Sequence, residues 1–245
     1  MEQSGSIYSK EELKPAYLHT ELIHNLNAPR EVVPFIMELT KPTSVLDVGC
    51  GTGTWLMAFE EKGITDYIGV DAMFLDKTLL KIPENKFQAI DLRQKWTLNR
   101  KFDLAISLEV AEHLPAESAD AFVASLVDHA ETIVFSAAIP GQGGQNHINE
   151  QWPDYWQEKF LKHGYYFHDV IRPLIWNNKS VDWWYKQNIF LIKQEKPANE
   201  IENWILPDSL KVQTNLVDEI LRGKLGIKSS FKIFLKSILV SIGLK

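Results

Sequence analysis

Hydrophobic residues along the 245-residue chain alternate between short continuous clusters and longer stretches with helical spacing, and this alternation predicts an α/β fold. The short clusters are rich in β-branched residues and predict seven strands, at residues 45–48, 67–70, 87–90, 102–108, 132–136, 165–171 and 188–193. Helices are predicted between them, at 54–62, 119–130 and 152–163. A further helix precedes the first strand, with Asn27 as its N-cap and Pro42 at its end.

The most distinctive turn follows the first strand, where residues 45–56 read VLDVGCGTGTWL. Gly49, Gly51 and Gly53 lead from the strand directly into the next helix. Because glycine has no Cβ, the backbone can approach a ligand closely, and the helix N-terminus directs its unpaired N–H groups at that ligand. We therefore expect this turn to bind a nucleoside-bearing cofactor.

The spacing of the turn selects the kind of cofactor. A dinucleotide fingerprint requires a third glycine where this chain has Thr54, and a phosphate-binding P-loop requires a Lys-Ser/Thr pair that is absent from the turn. Asp47 stands two residues before the first glycine, where its carboxylate would repel a pyrophosphate and attract an ammonium group. These features favour a cationic nucleoside without phosphate, such as S-adenosylmethionine.

The motif D-V-G-C-G-T-G resembles the first motif of the class I S-adenosylmethionine-dependent methyltransferases, and the resemblance extends over residues 43–193. It implies a Rossmann-like α/β fold with a seven-stranded, mostly parallel sheet, an antiparallel edge strand and helices on both faces. The loop at residues 137–152 is similar to that of bacterial members that modify glycans and other small molecules. A strand–turn–helix unit of some other α/β protein is the alternative, and an NAD-dependent oxidoreductase is disfavoured by Thr54.

Further residues are expected to contact the cofactor. Asp71 follows the second strand, where α/β nucleotide folds hold a carboxylate against the ribose hydroxyls. The resemblance implies that Asp91 and Leu92 contact the adenine, although Asp91 could instead cap a helix. The complete expected cofactor set is Asp47, Gly49, Gly51, Gly53, Asp71, Ala72, Met73, Asp91, Leu92 and Glu109.

The acceptor is expected at the ends of the fourth and fifth strands, because ligands bind at the carboxyl edge of a parallel sheet. His113 follows the fourth strand and is the first candidate for a general base, since the unperturbed pKa of histidine lies near neutrality; a simple backbone hydrogen bond is the alternative. Polar residues of the 137–152 loop and flat tryptophan rings suit a sugar or an aromatic acceptor. The predicted catalytic residues are His113, His147 and Glu112, and the predicted acceptor-binding residues are Asn146, Asn149, Trp152, Trp176 and Trp183.

The predicted reaction is methyl transfer to a hydroxyl group of a small polar acceptor, such as a sugar or a lipid-linked glycan. The sequence shows no His, Asp and Glu cluster with metal-ligand spacing, so we expect no metal. N- or C-methylation remains an alternative in which the two histidines would be dispensable. A non-catalytic protein that merely binds the cofactor is the other alternative.

Composition limits the partners and the location. A net charge of −6 argues against a general nucleic-acid binder, which needs a basic face. A single cysteine excludes an intrachain disulfide and suits a reducing compartment. The sequence shows neither a signal peptide nor an uncharged apolar run long enough to span a bilayer. We therefore expect a cytoplasmic protein.

Three parts are expected along the chain: a cap or flap at residues 1–26, the methyltransferase domain at 27–196, and a helical appendage at 197–245. Within the appendage, residues 224–244 combine lysines at every fourth position with an apolar face. This pattern is typical of a helix lying on an anionic membrane surface, which would place the protein at the inner face of the membrane. Packing of the same helix against its own domain or in a homo-oligomer explains the pattern equally well.

Overall fold

The computed structural model of the chain describes residues 25–72, 76–197 and 206. The chain divides into two units, Met1–Trp204 and Ile205–Lys245, and every element described below belongs to the first. The predicted cap at 1–26 and the predicted amphipathic helix at 224–244 lie wholly or almost wholly outside the described residues. The domain boundaries therefore stay predictions.

A single seven-stranded sheet forms the centre of the domain, which confirms the predicted fold. Its strands are β1 (Ser44–Val48), β2 (Asp66–Asp71), β3 (Phe87–Ala89), β4 (Leu104–Leu108), β5 (Thr132–Ser136), β6 (Tyr166–His168) and β7 (Phe190–Lys193). They lie in the order β3-β2-β1-β4-β5-β7-β6, and β7 runs in the direction opposite to the other six strands. The chain order reverses between β1 and β4, so the carboxyl ends of these two strands flank the crevice in which open α/β sheets bind ligands.

Six α-helices surround the sheet in the described residues: α1 (Asn27–Thr40), α2 (Thr54–Glu61), α3 (Ala119–His129), α4 (Pro153–Leu161), α5 (Arg172–Ile175) and α6 (Trp183–Asn188). Short 3₁₀ helices occur at Lys77–Leu79, Glu84–Lys86, Ala111–His113 and Ala116–Ser118. The prediction that Asn27 caps α1 is wrong, because Asn27 is its first helical residue and Leu26 precedes it without a side-chain cap. Helices α5 and α6 were not predicted, since neither is long enough to show a clear helical period.

Helices cover both faces of the sheet, and each face has its own apolar core. Along β1, Val45 belongs to the core beneath α1 and α2, whereas Leu46 belongs to the core beneath α3 and α4. All five residues of β1 are buried, as expected for a parallel strand that is covered on both faces. Because both faces are covered, a ligand can reach the sheet only at the ends of its strands. None of the helices in the described part of the chain is both long and apolar enough to cross a membrane.

Candidate active site

The glycine turn connects the carboxyl end of β1 to α2. Gly49, Gly51 and Gly53 have φ values of 80°, 51° and 86°, in a region that residues with a Cβ rarely adopt. A Cβ on Gly49 would lie 2.4 Å from Val110 Cγ2, and one on Gly53 would lie 2.8 Å from Ile82 Cγ1. The pattern of the turn predicts that these glycines allow a ligand to approach the backbone. At Gly49 and Gly53, the backbone conformation and the neighbouring side chains already require glycine.

Asp47 carries a buried carboxyl group inside β1. It is 2% exposed, and its Oδ2 atom has no hydrogen-bond partner in the structure. Burial, together with the negative charge of Asp71, raises the pKa of Asp47 well above its usual range. A buried carboxyl oxygen without a partner is costly unless a ligand satisfies it. The ammonium group of S-adenosylmethionine fits this requirement in charge and in hydrogen-bonding capacity.

Asp71 connects the end of β2 to the glycine turn. Its carboxylate accepts hydrogen bonds from the backbone N–H groups of Gly51 and Ala72, both at 2.6 Å. These bonds hold the carboxylate beside the turn, in the region expected for the ribose. Ala72, the next predicted cofactor residue, is half-buried there, and Met73 lies outside the described residues.

The predicted adenine contacts follow β3. Asp91 accepts the backbone N–H of Arg93 at 3.0 Å and two guanidinium bonds at 2.9 and 2.8 Å, and the guanidinium lowers the pKa of Asp91. The helix-cap alternative is not found, because Asp91 caps a turn and no helix begins after it. Leu92 is 5% exposed and its side chain packs in the apolar core, so only its backbone is suited to contact a base.

Glu109 begins the segment after β4 with a left-handed backbone, at φ 57°. Its carboxylate accepts hydrogen bonds from Gln142 Nε2 at 2.7 Å and from Asn188 Nδ2 at 3.1 Å. Asn188 also donates to Gln142 Oε1 at 2.8 Å, which closes a three-membered polar network. Burial raises the pKa of Glu109. Asn188 was not among the predicted site residues, because it lies in α6 and no local pattern links it to Glu109.

Glu112, His113 and His147 form the principal polar cluster of the site. Their potential metal-ligand atoms all lie within 4.8 Å of one another, and the two imidazole rings meet edge to face with centroids 4.9 Å apart. Glu112 is fully buried, and neither of its carboxyl oxygens has a hydrogen-bond partner. Burial and the nearby Glu109 raise the pKa of Glu112 well above its usual range. Folding brings these three residues together although α3 and β5 separate His147 from the other two in sequence, and the expectation that no metal is required stays a prediction.

The loop after β5 holds this cluster in place. Glu150 accepts the backbone N–H groups of Gly141 and Gly143 at 2.8 and 2.7 Å, and its Oε1 atom lies 3.0 Å from His147 Nδ1. The loop also returns to the short helix after β4, where the backbone carbonyl of Glu112 accepts the N–H groups of residues 148 and 149 at 2.9 and 3.0 Å. The polar residues of this loop thus serve partly to fix its own conformation.

The predicted acceptor-binding residues are not all brought together. Asn149 is buried beside the cluster and its Nδ2 atom has no hydrogen-bond partner, whereas Asn146 is exposed. Trp152 is 41% exposed at the start of α4. Trp176 and Trp183 are half-buried on the segment between β6 and β7, and the Trp183 ring packs on Trp184 with centroids 5.9 Å apart.

The fold and the glycine turn define the chain as a class I S-adenosylmethionine-dependent methyltransferase. Residues 20–172 match the family described as "Methyltransferase domain", and the chain belongs to this family. S-adenosylmethionine is its cofactor, and the predicted enzyme class is confirmed. The chain matches no curated protein.

Two solved structures with TM-scores above 0.5 show the same fold. One is CalS10, an amino pentose methyltransferase from Micromonospora echinaspora, with 16% identity over 73% of this chain and 99% of that chain and a TM-score of 0.53. Another is an S-adenosylmethionine-dependent methyltransferase from Clostridium acetobutylicum, with 15% identity over 71% and 94% of the two chains and a TM-score of 0.51. DesVI from Streptomyces venezuelae is 24% identical over 52% of this chain and 62% of that chain, with a TM-score of 0.41.

Proposed function

We propose that this methyltransferase modifies a hydroxyl group of a small polar acceptor, with a saccharide preferred. The observation that carries the proposal is the cluster of Glu112, His113 and His147 at the carboxyl edge of the sheet. An acceptor hydroxyl must lose its proton as the new carbon–oxygen bond forms, and the cluster places groups that can assist this loss in one position. A neutral amine already presents a lone pair, so N-methylation would not require the cluster.

On this proposal, the cofactor lies between the glycine turn and the β4 end of the crevice. Asp47 binds its ammonium group, Asp71 binds the ribose hydroxyls, and the backbone at Leu92, with Asp91, contacts the adenine. Bound S-adenosylmethionine supplies an electrophilic methyl group, so the protein need not activate the donor. The remaining task of the chain is to align the acceptor oxygen with that methyl group and to exclude water.

The acceptor side is assigned to the loop after β5. Asn149 offers a buried Nδ2 donor without a partner, which is suited to a hydroxyl oxygen. Exposed Trp152, three residues later in the sequence, adds a flat apolar surface, and the combination suits the faces and edges of a sugar ring. His113 and His147 then receive the proton directly or hold a group that lowers the pKa of the hydroxyl.

Paired acceptors test this function most directly. The full chain is incubated with S-adenosylmethionine and with saccharides that differ only in a hydroxyl or an amino group at one position, and mass spectrometry locates the added methyl group. We expect transfer to oxygen and at least a tenfold lower kcat for His113→Ala, as for other general acid–base residues. His163→Ala is the matched control, because His163 is exposed at the end of α4. Methylation of the amino compound alone, at a rate unchanged in His113→Ala, would refute the proposal.

The basic segment at residues 224–244 leads to a separate proposal about location. We expect it to hold the protein at the inner, anionic face of the cytoplasmic membrane. Removal of the chain after Pro197 should release the protein from anionic vesicles in a sedimentation assay. Equal sedimentation of the shortened and full-length proteins would contradict this location.

A further inference from the structure

The buried carboxyl group of Glu112 is the first sign of a ligand that the methyl-transfer site does not itself explain. The side chain is fully buried, and neither oxygen has a hydrogen-bond partner of good geometry, although the nearby backbone N–H groups of Glu112 and Ala138 act to lower the pKa of the carboxyl group. Such a group is costly unless it is protonated or a cation neutralises it. The closest polar side chains in the cluster are two imidazoles, His113 and His147, which are themselves common metal ligands.

The hydrogen-bond partners of the two histidines indicate that Nε2 of each ring is the nitrogen available to bind a metal ion. His147 Nδ1 lies 3.0 Å from the Glu150 carboxylate, and His113 Nδ1 lies 3.3 Å from the Asn146 carbonyl oxygen. Both partners are acceptors, so Nδ1 carries the proton in each neutral ring and the lone pair is on Nε2. An acceptor behind Nδ1 is the usual second partner of a metal-binding histidine, because it fixes the orientation of the ring.

Gly144 makes room for one of these rings. A Cβ at position 144 would lie 2.2 Å from His147 Nε2, so no other residue fits while the ring keeps its place. Glu150 is held in turn by two backbone N–H groups of the same loop. The loop therefore fixes both the position of His147 and the direction in which Nε2 points.

We propose that Glu112, His113 and His147 bind one divalent transition-metal ion. One nitrogen of each imidazole and one carboxylate oxygen lie within 4.8 Å of one another, whereas tetrahedral ligand atoms at about 2.1 Å from an ion are about 3.4 Å apart, so an inward movement of less than about 1 Å by each atom suffices. Two imidazoles and one carboxylate favour Mn²⁺, Fe²⁺, Co²⁺ or Zn²⁺ over Mg²⁺ and Ca²⁺, which prefer oxygen ligands. Three protein ligands leave coordination positions open, as in catalytic sites.

The consequence for the reaction rests on the proposed hydroxyl acceptor. The cation binds the acceptor oxygen and lowers the pKa of that hydroxyl, whose proton passes to solvent. The oxygen lone pair forms the bond to the methyl carbon, and the carbon–sulfur bond breaks with its electron pair going to sulfur. The metal keeps its charge throughout. His113 and His147 are then metal ligands and do not themselves take the proton.

Metal binding is tested on the full chain in the absence of cofactor and acceptor. The protein is stripped with a chelator and titrated calorimetrically with Mn²⁺, Co²⁺ and Zn²⁺ in turn, and bound Co²⁺ is also followed by its visible absorption. We expect one ion per chain with a Kd of about 1 μM or lower for at least one metal. Glu112→Gln and His147→Ala should each weaken binding at least about tenfold. His163→Ala should bind as the wild type does.

Titration with S-adenosylmethionine checks that the variants are folded. Both variants keep Asp47 and Asp71, and Glu112→Gln also keeps the shape of the side chain, so a folded variant should still bind the cofactor. Absence of binding by the wild type, or unchanged binding by both ligand variants, would overturn the metal site. The two proposals also fail separately. Metal binding without any hydroxyl methylation refutes only the proposed acceptor. Full saccharide methylation by the chelator-treated protein refutes only the part that the metal is proposed to take in the reaction.

Discussion

Asp47→Asn should have opposite effects on stability and on cofactor affinity. The substitution keeps the size of the side chain and removes its ability to carry a negative charge. In the cofactor-free protein the Asp47 carboxyl group is 2% exposed, has an oxygen without a partner and lies near Asp71. Its ionised form is therefore unfavourable until a cationic ligand binds.

The magnitude of the stability effect depends on pH. Because folding raises the pKa of Asp47, the folded protein keeps a proton that the unfolded chain releases, and stability falls as pH rises. The fall begins near pH ~3.9, the ordinary pKa of aspartate, continues up to the raised pKa of the folded protein, and has a slope of at most about 1.4 kcal/mol per pH unit. The Asp47→Asn variant does not lose stability in this way, because an amide does not ionise. We expect the cofactor-free variant to be about 1–3 kcal/mol more stable than the wild type at neutral pH, which is what about one to two pH units of this slope amount to.

Cofactor binding should change in the other direction. A hydrogen bond to a charged group contributes about 1.5–3 kcal/mol, so loss of the carboxylate–ammonium contact should weaken binding of S-adenosylmethionine roughly 10- to 150-fold. A cofactor-binding role thus explains why an unfavourable residue is kept inside β1.

Two measurements check this pair of effects. Urea unfolding of both proteins without cofactor, from pH 4 to pH 8, gives the stability difference, and calorimetric titration gives the affinity. The stability difference should shrink toward zero near the acid end of this range. The reasoning is refuted if the variant binds the cofactor as tightly as the wild type, or if the stability difference does not change with pH.

Further predictions concern the turn, the network beside it and the cofactor. Gly53→Ala should cost more than Gly63→Ala in urea unfolding, because both have positive φ and only the first Cβ would meet Ile82; equal costs would contradict the contact. Asn188→Ala should destabilise the protein by about 1–3 kcal/mol, since it leaves an oxygen of the half-buried Glu109 carboxylate without its donor, and an unchanged unfolding midpoint would contradict this. S-adenosylmethionine at a hundred times its Kd should add about 2.7 kcal/mol to the free energy of unfolding, and an unchanged melting temperature would contradict the cofactor assignment.

The strands were predictable because their pattern is local. β5 was predicted with its observed bounds, and the positions of β1, β2 and β3 differ from prediction by at most one residue at each end. The ends of the other strands were less accurate, since apolar residues beyond a strand, such as Phe102 before β4, join the core without joining the sheet as strand residues. The short helices α5 and α6 depend on packing and have too few turns for periodicity to reveal them.

The candidate site divides in the same way. Asp47, the glycine turn and Asp71 were identified from spacing, because each follows directly from the end of a strand. The roles of individual residues in acceptor binding were harder to predict from the sequence. Asn149 was identified as a polar loop residue, but only the structure shows that it is buried beside Glu112 and has an amide nitrogen without a partner.

By itself, the sequence determined the α/β class, the glycine turn and the charge of the cofactor, because strand periodicity, positive φ and an acid at a strand end are properties of neighbouring residues. Only the tertiary structure decided that His147 meets His113 and Glu112, and that Asn188 reaches Glu109. These residues are separated by whole helices and strands. Their distances are set by how those elements pack on the sheet, and no local pattern records that packing.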